Sequence, residues 1–434
     1  MNPLPGFRDF YPETLAVRRY IFGQWRDAAR RYGFREYDGP PLEPLELYTQ
    51  KSGEEIVAQL YNFMDKGDRA VSLRPEMTPT LARMVGAHHR DYKKPIKWFA
   101  VPQLFRYERQ QRGRLREHFQ FNADIIGESD ISADAELIAL AIDTLRSFGL
   151  TEKDFVVRIS SRGEWEQCFS GVGLDRQQYD ATFQAIDKLE REPIETTRQK
   201  LAALSLPPAA VEEVLAFADQ KTMSQQAQVQ PVFGILRVSG LDKFCELDYR
   251  IVRGLAYYTG IVWEIHDREG ELRAIAGGGR YDNLVNRICQ IDAKEVRPAV
   301  GFGMGDVVLA ELLKDRGLLP ELKPELDCYV IAIGGEATRG YIRMSGGSGT
   351  FLNLLLEAIH TWRDAGMSVD YAFSGSNVTK QLQVANEKGA RYVVLFGPRE
   401  FQGAGMVTLK NMTTGHQEQI RLQDVAAKIA ARVG

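Results

Sequence analysis

Apolar positions recur at helical spacing in some stretches of this chain and alternate at strand spacing in others. Leu15, Ile21, Phe22 and Trp25 fall near one stripe among arginines, which predicts an amphipathic helix over 14–32 that stops at Gly33. The run Pro40-Pro41-Leu42-Glu43-Pro44 is extended, because prolines at this density cannot continue a helix. Alternation predicts strands at 60–64 and 69–73 around the turn Asp65-Lys66-Gly67-Asp68, then a longer strand pair at 98–108 and 118–126. A helix is expected over 133–148. From about 165 to 230 the pattern is helical, polar and rich in Gln, Glu and Ala, which predicts an inserted helical module. Strands return at 244–252, 261–266 and 272–276. A glycine run, a helix at 281–288, a strand at 298–304 and a helix at 307–315 follow.

The stretch 317–324, with Pro320 and Pro324, reads as a linker. Beyond it the order is strand 327–333, helix 351–364, strand 367–373, helix 377–388, strand 390–396 and a strand near 405–410. That alternation signals a small α/β domain with a largely parallel sheet. The expected fold is therefore α+β over 1–322, an antiparallel sheet with flanking helices and a helical insertion at about 165–230. A small α/β domain over 325–434 follows it.

Composition narrows the function classes. The 434 residues are 44% hydrophobic and 26% charged, a globular balance. A formal net charge of −3 excludes a strongly basic histone-like or polybasic membrane protein, yet leaves room for a local nucleic-acid patch. Cys168, Cys245, Cys289 and Cys328 form no CxxC pair, and the six histidines show no zinc spacing, so no metal site is expected. No apolar run of about 18 residues is present, and the N-terminus carries charge of both signs without an apolar core. The expectation is a cytoplasmic protein with no membrane segment. The glycine-rich loop at 344–350 lacks the Gly-Lys-Ser/Thr ending of a phosphate loop and is expected to be a plain loop.

Four segments carry candidate chemistry. In the 118–126 strand, Phe119, Phe121, Ala123 and Ile125 share one face and Gln120, Asn122 and Asp124 the other. A polar row on an inner strand is costly to bury without partners, so it suits a polar pocket. The loop before it holds Arg109, Arg112, Arg114 and Arg116, a density of guanidinium that attracts phosphates. By pattern alone it is equally an amphipathic hairpin with a solvated basic loop. Arg253 precedes Gly254, with the pair Tyr257-Tyr258 between Gly254 and Gly260, and at 276–282 three glycines precede Arg280-Tyr281-Asp282. Either is also readable as a tight turn with packed aromatics. In Leu73-Arg74-Pro75-Glu76-Met77-Thr78, Glu76 suits an ammonium group or a helix cap.

Together these segments resemble the histidyl-tRNA synthetases, a family of class II aminoacyl-tRNA synthetases, over nearly the whole chain. Gly6-Phe7-Arg8-Asp9-Phe10 resembles the family's N-terminal signature, and Pro40 the proline of motif 1 at a dimer interface. Residues 105–127 resemble motif 2, residues 253–258 and 276–282 the two histidine-specific sequences, and 298–305 the start of motif 3. From about 325 onward the chain resembles an anticodon-binding domain, notably at 374–376 and 380–392. The resemblance implies that Glu76 and Thr78 meet the substrate α-amino group. Arg106 contacts the ATP α-phosphate and the substrate carboxylate, and Arg114 also serves ATP. Gln120 lies close to the amino acid, Asp124 faces the imidazole, and Tyr258 and Tyr281 complete the pocket. Arg253 stabilises charge during adenylate formation. The implied activity is ATP-dependent ligation of histidine to tRNA(His) by a homodimer, with Mg2+ beside ATP.

Two departures stand out. Ala256 replaces an acidic residue usual in the family, and Gly305 is followed by Asp306-Val307-Val308-Leu309, with no arginine until Arg316. Asp306 at a helix N-terminus would compete with a bound phosphate. The rival reading is a non-catalytic histidyl-tRNA synthetase-like regulatory subunit of ATP phosphoribosyltransferase. The C-terminal domain, which that paralogue typically lacks, favours the ligase.

Overall fold

The computed structural model describes residues 1–49, 58–109, 111–204, 206–253, 257–270, 272–290, 298–322, 326–333, 350–372, 377–397 and 405–430. The chain divides into two compact units, Met1–Pro320 and Glu321–Gly434. Ala256, the 344–349 loop residues and Ser374-Gly375-Ser376 lie outside the described residues.

The first unit is built on one large sheet. Its strands run in the order Arg35–Glu36, Ile96–Ala100, Glu117–Ile126, Ala299–Gly305, Ala276–Arg280, Ile261–Asp267, Phe155–Ser161, Cys245–Leu247. The inner pairs are antiparallel, while the two edge strands pair in parallel. Pro102 interrupts the strand expected at 98–108. A proline has no N–H to give the ladder, so the chain forms Ile96–Ala100 and Gln103–Phe105 instead, both paired with 117–126.

The expected strand at 272–276 lies further on, at Ala276–Arg280, so the glycine run is itself a central strand. The expected 244–252 strand is only Cys245–Leu247, because Asp248 turns into an ion cluster with Arg158 and Arg250. The strand Phe155–Ser161, fully inside the sheet, has no counterpart among the expected elements.

One face of the sheet is apolar and helix-covered. Phe121, Ala123 and Ile125 join a core with Trp25 of the helix Pro12–Arg31, Leu137 and Ala141 of Ser132–Arg146, and Leu309 and Leu312 of Asp306–Asp315. Trp25 stacks on Phe121 at 5.8 Å between centroids. Each buried Leu, Ile or Phe side chain here contributes roughly 1.5–3 kcal/mol by leaving water. The opposite face carries the polar row and is where the site forms.

The helices Arg162–Gly171, Tyr179–Ile186, Ile194–Ala203 and Pro208–Ala218 form a module with its own core of Trp165, Phe169, Phe183 and Val214. It is tied to the chain after the edge strand, since Trp165 Nε1 donates to the Tyr249 carbonyl at 2.9 Å and the Tyr249 hydroxyl donates to Glu164.

In the second unit the strands Val369–Tyr371, Leu326–Ala332 and Ala390–Phe396 are parallel, and Met406–Asn411 and Gln417–Arg421 complete the sheet antiparallel. The parallel part was expected; the final hairpin strand was not. Gln381 of the helix Val378–Glu387 is buried, and Lys388 pairs with Asp370.

Candidate active site

Glycines clear the polar face of the sheet. Antiparallel register sets Gly301 opposite Asp124, Gly303 opposite Asn122, Gly279 opposite Gly301 and Gly277 opposite Gly303. Directly opposed residues share a face, so these positions form a bare floor. A Cβ on Gly301 would overlap the Asp124 carboxylate, one on Gly277 would overlap the Arg253 guanidinium, and one on Gly303 would stand 2.6 Å from Gln120 Cδ. The floor is bare because functional side chains lie across it.

Above it opens a cavity of about 710 Å3, walled by Glu76, Thr78, Arg106, Arg114, Gln120, Arg253, Tyr258 and Tyr281 among others. That volume lies within the usual range for small-molecule sites. The structure thus brings together on one wall every predicted site residue but one. Asp124 stands immediately behind, buried at 4% exposure, and accepts a hydrogen bond from the Tyr281 hydroxyl. Burial lifts its carboxyl to about 7, and the tyrosine hydrogen bond only partly offsets this.

Glu76 is buried at the start of the helix Thr78–Ala87. Its Oε2 accepts from the Tyr257 hydroxyl at 2.9 Å, while Oε1 has no hydrogen-bond partner among the described residues. Burial raises its pKa, opposed by Arg106 and Arg253. A buried acceptor left without a partner is costly, and an incoming ammonium group would satisfy it. Arg106 Nε donates to the Pro75 carbonyl at 2.9 Å, which fixes its guanidinium beside Glu76.

Arg253 adopts φ 57°, a left-handed conformation unfavourable for a side chain of its size. Its Nη1 donates to Glu264 Oε1 at 2.7 Å, and His266 Nε2 lies 3.0 Å from Glu264 Oε2. Burial opposes ionisation of Glu264, yet Arg253 and His266 outweigh it and hold the carboxyl at about 2. The ion pair keeps Arg253 protonated despite its burial. Glu264 was missed in the sequence; only its alternation with Val262 and His266 on one strand places it on the cavity face. Arg114 pairs with Glu108 of its own loop.

Asp306 does not compete for phosphate at its helix N-terminus. It is buried away from the cavity wall, where Oδ1 accepts from the Phe119 N–H at 2.8 Å and Oδ2 lies 3.0 Å from Arg8 Nη1. Arg8 Nε also donates to Glu117 Oε1 at 2.6 Å. The residue ties the N-terminal segment to motif 2. Arg316 is bound to Asp154, Asp267 and Glu269.

Two family profiles cover the chain: histidyl-tRNA synthetase over residues 6–306 and anticodon binding domain over residues 327–432. A histidine–tRNA ligase of Opitutus terrae is 43% identical over 445 residues, covering 98% of this chain and 97% of its own. The chloroplastic/mitochondrial histidine–tRNA ligase of Arabidopsis thaliana is 37% identical over 98% of this chain and 86% of its own. The crystal structure of histidyl-tRNA synthetase from Nostoc sp. PCC 7120 matches in fold, with a TM-score of 0.74 at 24% identity over 100% of this chain and 99% of that one. With profiles matched in order along the chain and relatives this similar over nearly its full length, the protein belongs to the histidyl-tRNA synthetase family.

Proposed function

We propose that the cavity activates histidine with ATP and that the protein then transfers it to tRNA(His). The observation that carries this is the convergence of Glu76, Arg106 and Arg253 above a glycine floor, with Asp124 and Tyr281 at one side. Glu76 and Thr78 receive the α-amino group. Gln120, Tyr258, Tyr281 and Asp124 surround the imidazole, with Asp124 acting on the ring together with the Tyr281 hydroxyl it orients. A histidine carboxylate oxygen attacks the α-phosphorus, the bond to the β-phosphate oxygen breaks, and pyrophosphate leaves. Negative charge grows on the α-phosphoryl oxygens. Arg106 and Arg253, held from separate elements by Pro75 and Glu264, stabilise it without moving. A terminal ribose hydroxyl of the tRNA then attacks the carbonyl carbon and releases AMP.

Among the described residues no three His, Cys, Asp or Glu side chains converge as a metal site. Mg2+ therefore enters this reading only as an ion that accompanies the ATP phosphates, and no step is routed through it.

The second unit is the tRNA-reading part of this proposal. A homodimer is supported by the small sheet Leu42–Pro44, Ala70–Leu73 and Tyr61–Met64, which follows Pro40 and exposes Leu42, Phe63 and Met64. The four cysteines form no disulfide among the described residues, which suits a reducing cytoplasm, and no helix among the described residues is long and apolar enough to cross a membrane.

Histidine-dependent ATP–pyrophosphate exchange tests the reading. A folded protein without exchange at saturating histidine and ATP would return the choice to the regulatory paralogue.

A further inference from the structure

The stretch 306–309, where a family arginine is absent, offers only Val307 and Val308 to the cavity wall. Val308 Cγ2 lies 3.2 Å from the position of a Cβ on Gly113, in the loop before the 117–126 strand. A different cation reaches that same loop. Arg273, from the turn between the strands Ile261–Asp267 and Ala276–Arg280, lines the cavity, and its Nη2 donates to Gln111 Oε1 at 3.3 Å.

The ionic surroundings of Arg273 differ from those of its neighbours. Arg253 has Glu264 as its partner, Arg114 has Glu108, and Arg250 has Asp248 and Glu190. Arg273 has no carboxylate partner among the described residues. The charged group that acts on it is another cation, Arg191 of the helical module, which also lines the cavity and whose own acid, Asp187, is 3.9 Å away. Partial desolvation at the cavity edge and Arg191 together disfavour the charge on Arg273, whose side chain remains exposed. Arg191 and Arg273 both face the cavity, whose wall there also carries Asp187 and Glu190, and an anion bound beside Arg273 would offset the repulsion from Arg191. Forked donors of this kind match phosphate oxygens.

We propose that Arg273 binds the terminal phosphates of ATP, supplying from the sheet hairpin the cation that the 306–309 stretch lacks. The inference rests on the cavity being an ATP site. Arg106 and Arg253 lie beside Glu76, at the reacting end. Arg273 sits along the Gln111 loop, at the exposed end, where the part of the triphosphate that leaves must point.

The test is equilibrium binding of ATP and of AMP to wild type, Arg273→Ala and Arg273→Lys, with KM for ATP and histidine from pyrophosphate exchange. Arg273 is exposed and outside the core, so both variants should melt like wild type. A charge-assisted contact predicts that Arg273→Ala weakens ATP about 10- to 100-fold. AMP affinity and the histidine KM should stay unchanged, and the lysine variant should fall between. Unchanged ATP affinity in Arg273→Ala would overturn the proposal, as would equal losses for ATP and AMP. A wild type that binds no ATP would instead defeat the reading of the cavity itself, so the two failures are distinguishable.

Discussion

The Asp124 carboxylate fills the space that a Cβ on Gly301, its register partner across the strand pair, would need. Adding a methyl group to a packed site usually costs about 1–3 kcal/mol. Here the group displaced is one assigned to the histidine pocket. Gly301→Ala should therefore raise the histidine KM about tenfold or more while the ATP KM holds. Steady-state pyrophosphate exchange measures both; a variant with an ordinary histidine KM would show that Asp124 does not serve that pocket.

Asp124 also links stability to pH. Its carboxyl titrates near 7 in the fold because it is buried, against about 3.9 when exposed. Between those values the folded state holds more protons than the unfolded one, so this group's contribution is full below about pH 4 and is lost as pH rises through about 7. Thermal melts of wild type and Asp124→Asn at pH 5 and pH 8 should show the wild type losing ground to the variant at the higher pH. A difference that stays constant would mean the carboxyl is not raised.

Arg253 and Glu264 should separate chemistry from binding. Losing one donor to a developing oxyanion typically slows a reaction by about 10²–10³. Arg253→Ala should cost that much in the single-turnover rate of adenylate formation, with histidine affinity near wild type. Glu264→Gln should cost less, because the amide keeps an acceptor for Arg253 but loses the charge. Matching losses in rate and affinity for Arg253→Ala would make it a ground-state anchor.

The two units should also come apart functionally. A chain ending at Leu322 contains the whole cavity wall. It should keep pyrophosphate exchange and lose most tRNA charging. Circular dichroism and a cooperative thermal melt establish that it is folded. Charging at the full-length rate would remove the RNA-reading role from residues 325–434.

Alternation makes the polar row Gln120, Asn122, Asp124 readable in the sequence, since one strand and its period are all that is required. The floor beneath it is another matter. Gly277 and Gly279 read as a strand end or a tight turn because glycine has poor strand propensity; only the register against Gly301 and Gly303 reveals why side chains are missing there. The strand Phe155–Ser161 escapes for a related reason. Its alternation ends in Ser160-Ser161, and its neighbours in the sheet are more than eighty residues away in sequence. Alternation gives Glu264 its face but not its partner Arg253, and Arg273 is chosen by tertiary geometry, which no local pattern records. Asp306 shows the opposite failure. Its position at a helix start is readable, but not the direction it faces, which depends on Arg8 at the far end of the unit.

The Arg8 knot bears on the order in which the chain is assembled. Its partners, Glu117 and Asp306, lie far along the sequence, and contacts between distant residues form late because closing the intervening loop costs entropy first. On the ribosome, where domains emerge N-terminus first, residues 6–10 are among the earliest made. Their contacts with residues near 117 can form earlier, but the bond from Arg8 to Asp306 cannot form until residue 306 has emerged, so the knot stays incomplete through synthesis of almost the entire first unit.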